Sequence, residues 1–128
     1  MGKAESYRDL VIWQMGMETA RRVHSLTRSF PREEVYGLTS QMRRAAVSIP
    51  SNIAEGFSRH SRREMSRFVA IAHGSVSELE TQVTLARDFG YMDCAAHDEI
   101  MEHLDHLGRK ITLFMRHIGG RQQSQRQV

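Results

Sequence analysis

Apolar side chains recur at spacings of three and four along most of the chain, and that pattern decides the fold class. Residues three and four apart share one face of an α-helix, whereas a half-buried strand needs strict alternation. The first such stretch runs from about Tyr7 to Ser29, with Leu10, Trp13, Met17, Ala20 and either Val23 or His24 on its face. Ser6 followed by Asp9 approximates a capping box, and Phe30-Pro31 ends the stretch. The second begins near Pro31, whose fixed φ suits a first helical turn, and Glu33 and Glu34 favour the positive end of the helix dipole. Its face reads Val35, Leu38, Met42, Ala45, Ile49, Ile53 and Phe57. Pro50 removes the hydrogen bond to Ala46 and disfavours helical geometry at Ile49. The apolar spacing nevertheless stays in phase across it, which predicts one kinked helix, not two.

Ser61 with Glu64 fits the capping-box pattern, and the third face follows at once: Met65, Phe68, Ala72, Val76, Leu79, Val83 and Ala86. This helix is expected to end at Phe89-Gly90. Gly74 inside it costs about 1 kcal/mol relative to Ala, and close helix approach is the expected reason for it. The fourth helix starts between Asp93 and Asp98, places Ile100, Leu104, Leu107, Ile111, Phe114 and Ile118 on one side, and is expected to stop at Gly119-Gly120. No alternating Val/Ile/Thr run and no Asn-Gly or Asp-Gly turn competes with this reading. Helices of this length joined by short connections favour antiparallel neighbours. The expected fold is therefore all-α: an up-down-up-down four-helix bundle over residues 6–118 with a proline-kinked second helix. A flexible N-terminus (1–5) precedes it and a disordered polar tail (119–128) follows.

At 128 residues the chain has the length of one domain. No stretch approaches the ~20 apolar residues of a membrane span, so no membrane partner is expected. The first residues are not followed by the apolar core of a signal peptide. The single cysteine, Cys94, cannot form an internal disulfide, which suits the cytoplasm. The formal charge is only +3, but it is unevenly spread. Residues 41–67 carry six arginines (43, 44, 59, 62, 63 and 67) against Glu55 and Glu64. Residues 68–105 carry Arg87 against eight acids, and residues 106–128 carry five basic residues and no acid. Such alternation fits an anionic ligand, or basic and acidic helices lying side by side.

Catalytic patterns are missing. Di-iron bundles use Glu-x-x-His, and no glutamate here is followed three residues later by histidine. Glu99–His103 and Glu102–His106 are four apart; His103 and His106 share a face, which offers at most an adventitious metal site. His24, His60, His73, His97 and His117 are scattered without evident partners. There is no Gly-x-Ser-x-Gly elbow, no phosphate-cradling glycine loop, and no basic neighbour to activate Cys94. No cofactor is expected.

Binding residues are easier to nominate. Ser58–Arg67 gathers Arg59, Arg62, Arg63 and Arg67 with His60 around one bundle end, and Arg43 and Arg44 lie earlier on the second helix. All six arginines are candidate phosphate contacts. Only Phe57 and Phe68 adjoin the basic turn, so no aromatic ladder for base-specific recognition is evident. Two polar clusters, Ser48–Gly56 with Asn52 and Glu55, and Gly74–Thr81 with Ser75 and Glu78, lie beside core positions. They are read as a part-buried network between the second and third helices, fixing register or a subunit interface, with solvated surface residues as the alternative.

The same residues carry a family resemblance. Tyr7-Arg8-Asp9-Leu10-Val11-Ile12-Trp13-Gln14, then Tyr36-Gly37-Leu38-Thr39-Ser40-Gln41-Met42-Arg43-Arg44-Ala45-Ala46, resemble the 23S rRNA intervening-sequence protein family. Ser48 to Gly56, and Gly74-Ser75 with Glu78-Leu79, continue the likeness, which spans about residues 6–118. The resemblance implies a bacterial up-down bundle that assembles as a ring-like homopentamer, with no catalytic residue and no cofactor. More distantly the chain is similar to accessory proteins of diversity-generating retroelements, which are basic pentamers that bind nucleic acid and a reverse transcriptase. No base-reading residue is carried over from either group.

Two functions are thereby expected. One is a non-enzymatic oligomer binding RNA or DNA through its basic end; the other is a structural or protein-partner scaffold without nucleic acid. A metal-dependent enzyme using the fourth-helix histidines is the third and weakest reading.

Overall fold

The computed structural model describes residues 3–126; expectations about residues 1, 2, 127 and 128 lie outside that range. The described residues form four α-helices: α1 (Val11–Thr27), α2 (Leu38–Ser58), α3 (Arg62–Asp88) and α4 (Cys94–Arg126). Each packs on the next, and α4 returns to α1. Two tertiary contacts show the up-down order. The Tyr91 hydroxyl, between α3 and α4, donates to Glu34 Oε2 (2.9 Å), and the Phe30 and Tyr91 rings lie 5.5 Å apart. The first and third connections thus share one end of the bundle. The α2–α3 turn lies at the other, beside the N-terminal segment and the residues around Phe114–Ile118.

The first two helices begin later than the apolar spacing suggests, whereas α3 and α4 begin where it places them. Ser6 does cap a turn, with both halves of the box formed to Asp9, but that turn is a 3-10 element (Tyr7–Asp9). Leu10 is extended (ψ 127°), so α1 restarts at Val11. Pro31–Gly37 likewise forms a 3-10 turn and bends, and α2 proper starts at Leu38, whose N–H donates to Glu34 Oε1. Val35 accordingly stays exposed. Ser61 accepts from the Glu64 N–H, while the Glu64 carboxylate turns to Arg67, so only the serine half of that capping box forms. Asp93 caps α4 by accepting from Ala96 N–H. That helix continues through Gly119 and Gly120 to Arg126. Glycine weakens a helix by about 1 kcal/mol but still donates its N–H, and Gly119 has no left-handed φ to end the ladder.

The core is one contiguous cluster. Met42, Ile49 and Ile53 of α2, Val69, Val76, Leu79 and Val83 of α3, and Leu104, Leu107 and Ile111 of α4 are all but fully buried. Each contributes about 1.5–3 kcal/mol by leaving water. The face of α1 differs from the expected one. Its buried residues are Ile12, Gly16, Thr19, Val23 and Thr27, while Leu10, Trp13 and Ala20 pack at the edge. Two threonines and a glycine carry that stripe, which a search for apolar residues passes over.

α2 runs unbroken through Pro50. Gly16 of α1 lies directly against it: a Cβ there would sit 3.1 Å from Ile49 Cγ2 and 3.2 Å from Pro50 N. Gly56 does the same toward α3, where a Cβ would be 2.9 Å from Phe68 Cβ. Gly74 is not a close-approach glycine; it is exposed, with nothing within 4 Å of an added Cβ. Two substitutions separate these cases. Gly74→Ala is expected to raise unfolding stability by about 0.5–1 kcal/mol, the ordinary gain in an open helix interior. Gly56→Ala is expected to lower it by about 1–3 kcal/mol through overpacking. Urea titrations of the two variants read both signs.

Candidate nucleic-acid interface

The six candidate arginines fall into two groups. Arg43 and Arg44 lie near the start of α2, about 22 Å along the helix from Arg59. Arg43 is committed to the fold: its Nε donates to Thr27 Oγ1 (2.9 Å) and its Nη2 to the His24 carbonyl (3.4 Å). It meets α1, not an acid of a neighbouring helix. Arg59, Arg62, Arg63 and Arg67 surround the α2–α3 turn.

Two of these four are half-neutralised by their own helices. Arg59 pairs with Glu55 (2.7 Å) and Arg67 with Glu64 (2.7 Å). Their guanidiniums bracket the Phe68 ring at 5.4 and 4.5 Å from its centre. Among the described residues Arg62 and Arg63 form no ion pair. The Glu64 carboxyl reports the field at this end. It is held below the ordinary carboxylate range by the Arg67 hydrogen bond first, then by the nearby charges of Arg67, Arg59 and Arg63.

Beside the turn lies an open hollow of about 650 Å³. Leu10, Phe57, Met65 and Phe114 give it apolar walls, and His60, Arg62 and His117 stand among its polar residues. Lys3 and Glu5 of the N-terminal segment also line it, with opposite charges. The sequence alone pointed to Arg62 and His60 but not to Phe114 or His117, which are more than fifty residues further on. The signal that could have found them is the up-down topology, which brings Phe114–Ile118 of α4 to the α2–α3 turn.

The polar residues nominated between α2 and α3 divide in the same way. Asn52 Nδ2 donates to the Ser48 carbonyl and to Ser48 Oγ, and Ser48 Oγ lies 2.9 Å from Ser75 Oγ. Ser75 in turn donates to the Ile71 carbonyl. Glu55 and Glu78 are not members: Glu55 faces Arg59, and Glu78 accepts from Gln82 Nε2.

Each of the other three seams carries one similar bridge. Thr27 meets Arg43 between α1 and α2, Thr112 meets His73 (3.3 Å) between α3 and α4, and Thr19 meets His103 (2.7 Å) between α1 and α4. In all three the threonine proton is given to its own carbonyl four residues back, so the hydroxyl accepts from the crossing side chain. The tautomer of His103 and His73 that fits this arrangement donates through Nε2–H.

The α1–α4 seam opens into a groove of about 950 Å³. Its acids (Glu18, Glu99, Glu102 and Asp105) are interleaved with Arg21, Arg22, Arg109 and His106. Among the described residues no three His, Cys, Asp or Glu side chains converge as metal ligands would. His103 is instead a half-buried structural donor, its pKa lowered by burial first and by the Arg22 charge second.

The sign of its pH effect follows. A histidine whose folded pKa lies below its unfolded value of about 6.5 stabilises the fold above that value. The contribution is lost as pH falls through the folded pKa. Thermal melts from neutral to about pH 5 are expected to show falling stability that His103→Gln flattens; an unchanged slope in that variant would assign the loss to other groups.

No helix among the described residues is long and apolar enough to cross a membrane. A known family matches residues 8–113: the 23S rRNA-intervening sequence proteins. No curated protein matches the chain. Among solved structures it is similar to a protein of unknown function from the S23 ribosomal protein family of Bacteroides thetaiotaomicron VPI-5482. The TM-score is 0.74 at 18% identity, covering 83% of this chain and 99% of that one. At that identity the likeness speaks for the fold.

Proposed function

The chain belongs to the 23S rRNA-intervening sequence protein family, and on that premise we propose that it is a non-enzymatic, oligomeric nucleic-acid-binding protein that holds phosphates at its α2–α3 end. One observation carries the reading. Arg62 and Arg63 are exposed at a bundle end with no acid paired to them among the described residues, and Arg62 lines a hollow shared with His60 and with His117 of α4. Unpaired guanidiniums at a common end are suited to phosphate oxygens and release counterions when they engage them. Arg59 and Arg67 add charge that their glutamates partly cancel, and Arg44 stands apart from this site.

Oligomerisation draws support from α3. Ile71, Ser75, Glu78, Gln82, Leu85 and Phe89 form one stripe, spaced by four and three. Ile71, Leu85 and Phe89 remain exposed, and Gln82 is buried with its Oε1 lacking a donor among the described residues. A second copy against this stripe would cover the apolar side chains. The resemblance implies a ring of five, and light scattering measures it. A scaffold role without nucleic acid is the second reading, favoured by the ion pairs that spend half of the turn's arginines internally.

The deciding experiment titrates RNA and DNA oligonucleotides at several salt concentrations against the wild type and an Arg62→Glu/Arg63→Glu variant. Loss of two phosphate contacts is expected to reduce the salt slope by about 1.4 for a single strand, besides weakening binding. Unchanged affinity and slope would overturn the assignment of this end. No binding by the wild type would leave the scaffold.

A further inference from the structure

We propose that the hollow beside the α2–α3 turn is a nucleobase pocket: it takes one unpaired base of a single strand whose phosphates lie on Arg62 and Arg63. The inference rests on the phosphate-binding reading above and adds a ligand class, single-stranded over duplex nucleic acid.

The chemistry of the lining selects this occupant. Phe57 and Phe114 are partly exposed aromatic walls, with Leu10 and Met65 completing an apolar surface. A base offers a flat π-face to such walls, and stacking on aromatic side chains is the common sequence-tolerant way of holding single strands. The polar side chains of the same hollow are Arg62, His60, Ser61 and His117, with Lys3 and Glu5 offsetting each other. A purely apolar ligand would leave the Arg62 guanidinium and the two imidazoles unused, and a free phosphate would leave the aromatic walls unused. A nucleotide uses both. At about 650 Å³ the hollow is open to solvent and has room for a single base. A base within a duplex cannot reach this surface unless it leaves its stack.

The backbone at His60 is a second, independent observation. Its φ is +53°, the one left-handed non-glycine residue among those described. It follows α2, where the His60 N–H donates to the Phe57 carbonyl and the Arg59 N–H to the Gly56 carbonyl. That position closes a helix and is ordinarily glycine, because a side chain there is strained. Gly90 fills the matching place after α3, with φ +80°. A histidine kept at the α2 end, with its ring lining the hollow, is a local cost that a ligand contact would explain.

The test uses the full-length protein and three probes: a short oligouridylate, the abasic strand of equal length, and an RNA duplex of equal length. The proposal expects the oligouridylate to bind at least about fivefold more tightly than the abasic strand, the lower bound of one stacked base. It expects Phe114→Leu to remove most of that difference while leaving abasic-strand affinity unchanged. His60→Gly separates site from fold: it is expected to raise the melting temperature and weaken oligouridylate binding together. Equal affinity for all three probes, lost in the Arg62→Glu/Arg63→Glu variant, would overturn the base pocket and keep the phosphate site. Absence of binding to every probe would overturn both. A His60→Gly variant that is stabilised yet binds the oligouridylate as the wild type does would remove the histidine from the site.

Discussion

Helix α2 is buried along two adjoining faces at once, and the remaining geometry follows from how closely it can be approached. Consecutive residues (Ala45 with Ala46, Ile49 with Pro50) are both buried, which a helix lying against a single partner does not require. Gly16 admits α1 at Pro50, where the chain has no N–H, and Gly56 admits Met65 and Phe68 of α3. These two contacts place α1 and α3 on either side of α2. Gly56 lies three residues before Arg59, so the approach that closes the core also positions the basic turn.

Apolar packing sets separation but specifies axial register weakly, because one leucine-lined groove resembles the next. The hydroxyl bridges supply that register. Each seam has one: Thr27–Arg43, Ser48–Ser75, His73–Thr112 and Thr19–His103. Each is worth only about 0.5–1.5 kcal/mol net, yet sliding a helix by one turn would strand a partly buried donor or acceptor at a larger cost. The bridges therefore act mainly against misaligned bundles. They also explain threonines at positions where a helix interior usually prefers straight-chain residues.

Much of this was legible in the sequence because it is local. Four helices, the capping serines and the continuity of α2 through Pro50 all follow from spacing and backbone chemistry. The α3 face was read nearly in full, with Val69 as the main addition. What escaped reading depends on partners from elsewhere in the chain. Thr19 and Thr27 look solvent-bound until His103 and Arg43 are known to face them. Gly74 resembles a contact glycine until its surroundings prove empty, while Gly16 and Gly56 make the contacts. The candidate site was half legible for the same reason. Contiguous arginines announced the turn, but Arg43 turned inward to Thr27, Glu55 and Glu64 claimed two of the others, and Phe114 and His117 arrive only through the topology.

The bundle thus presents two unlike surfaces: a mixed-charge groove between α1 and α4, and a cation-rimmed aromatic hollow at the α2–α3 end. On the proposed reading, single-stranded nucleic acid is held at the second. Backbone amide chemical shifts recorded during titration with an oligouridylate test it most directly. Perturbations are expected to concentrate at Phe57–Arg67, with a second group near Phe114–Ile118. Perturbations centred on Glu18–Arg22 and Glu99–His106, or their absence at saturating oligonucleotide, would contradict it.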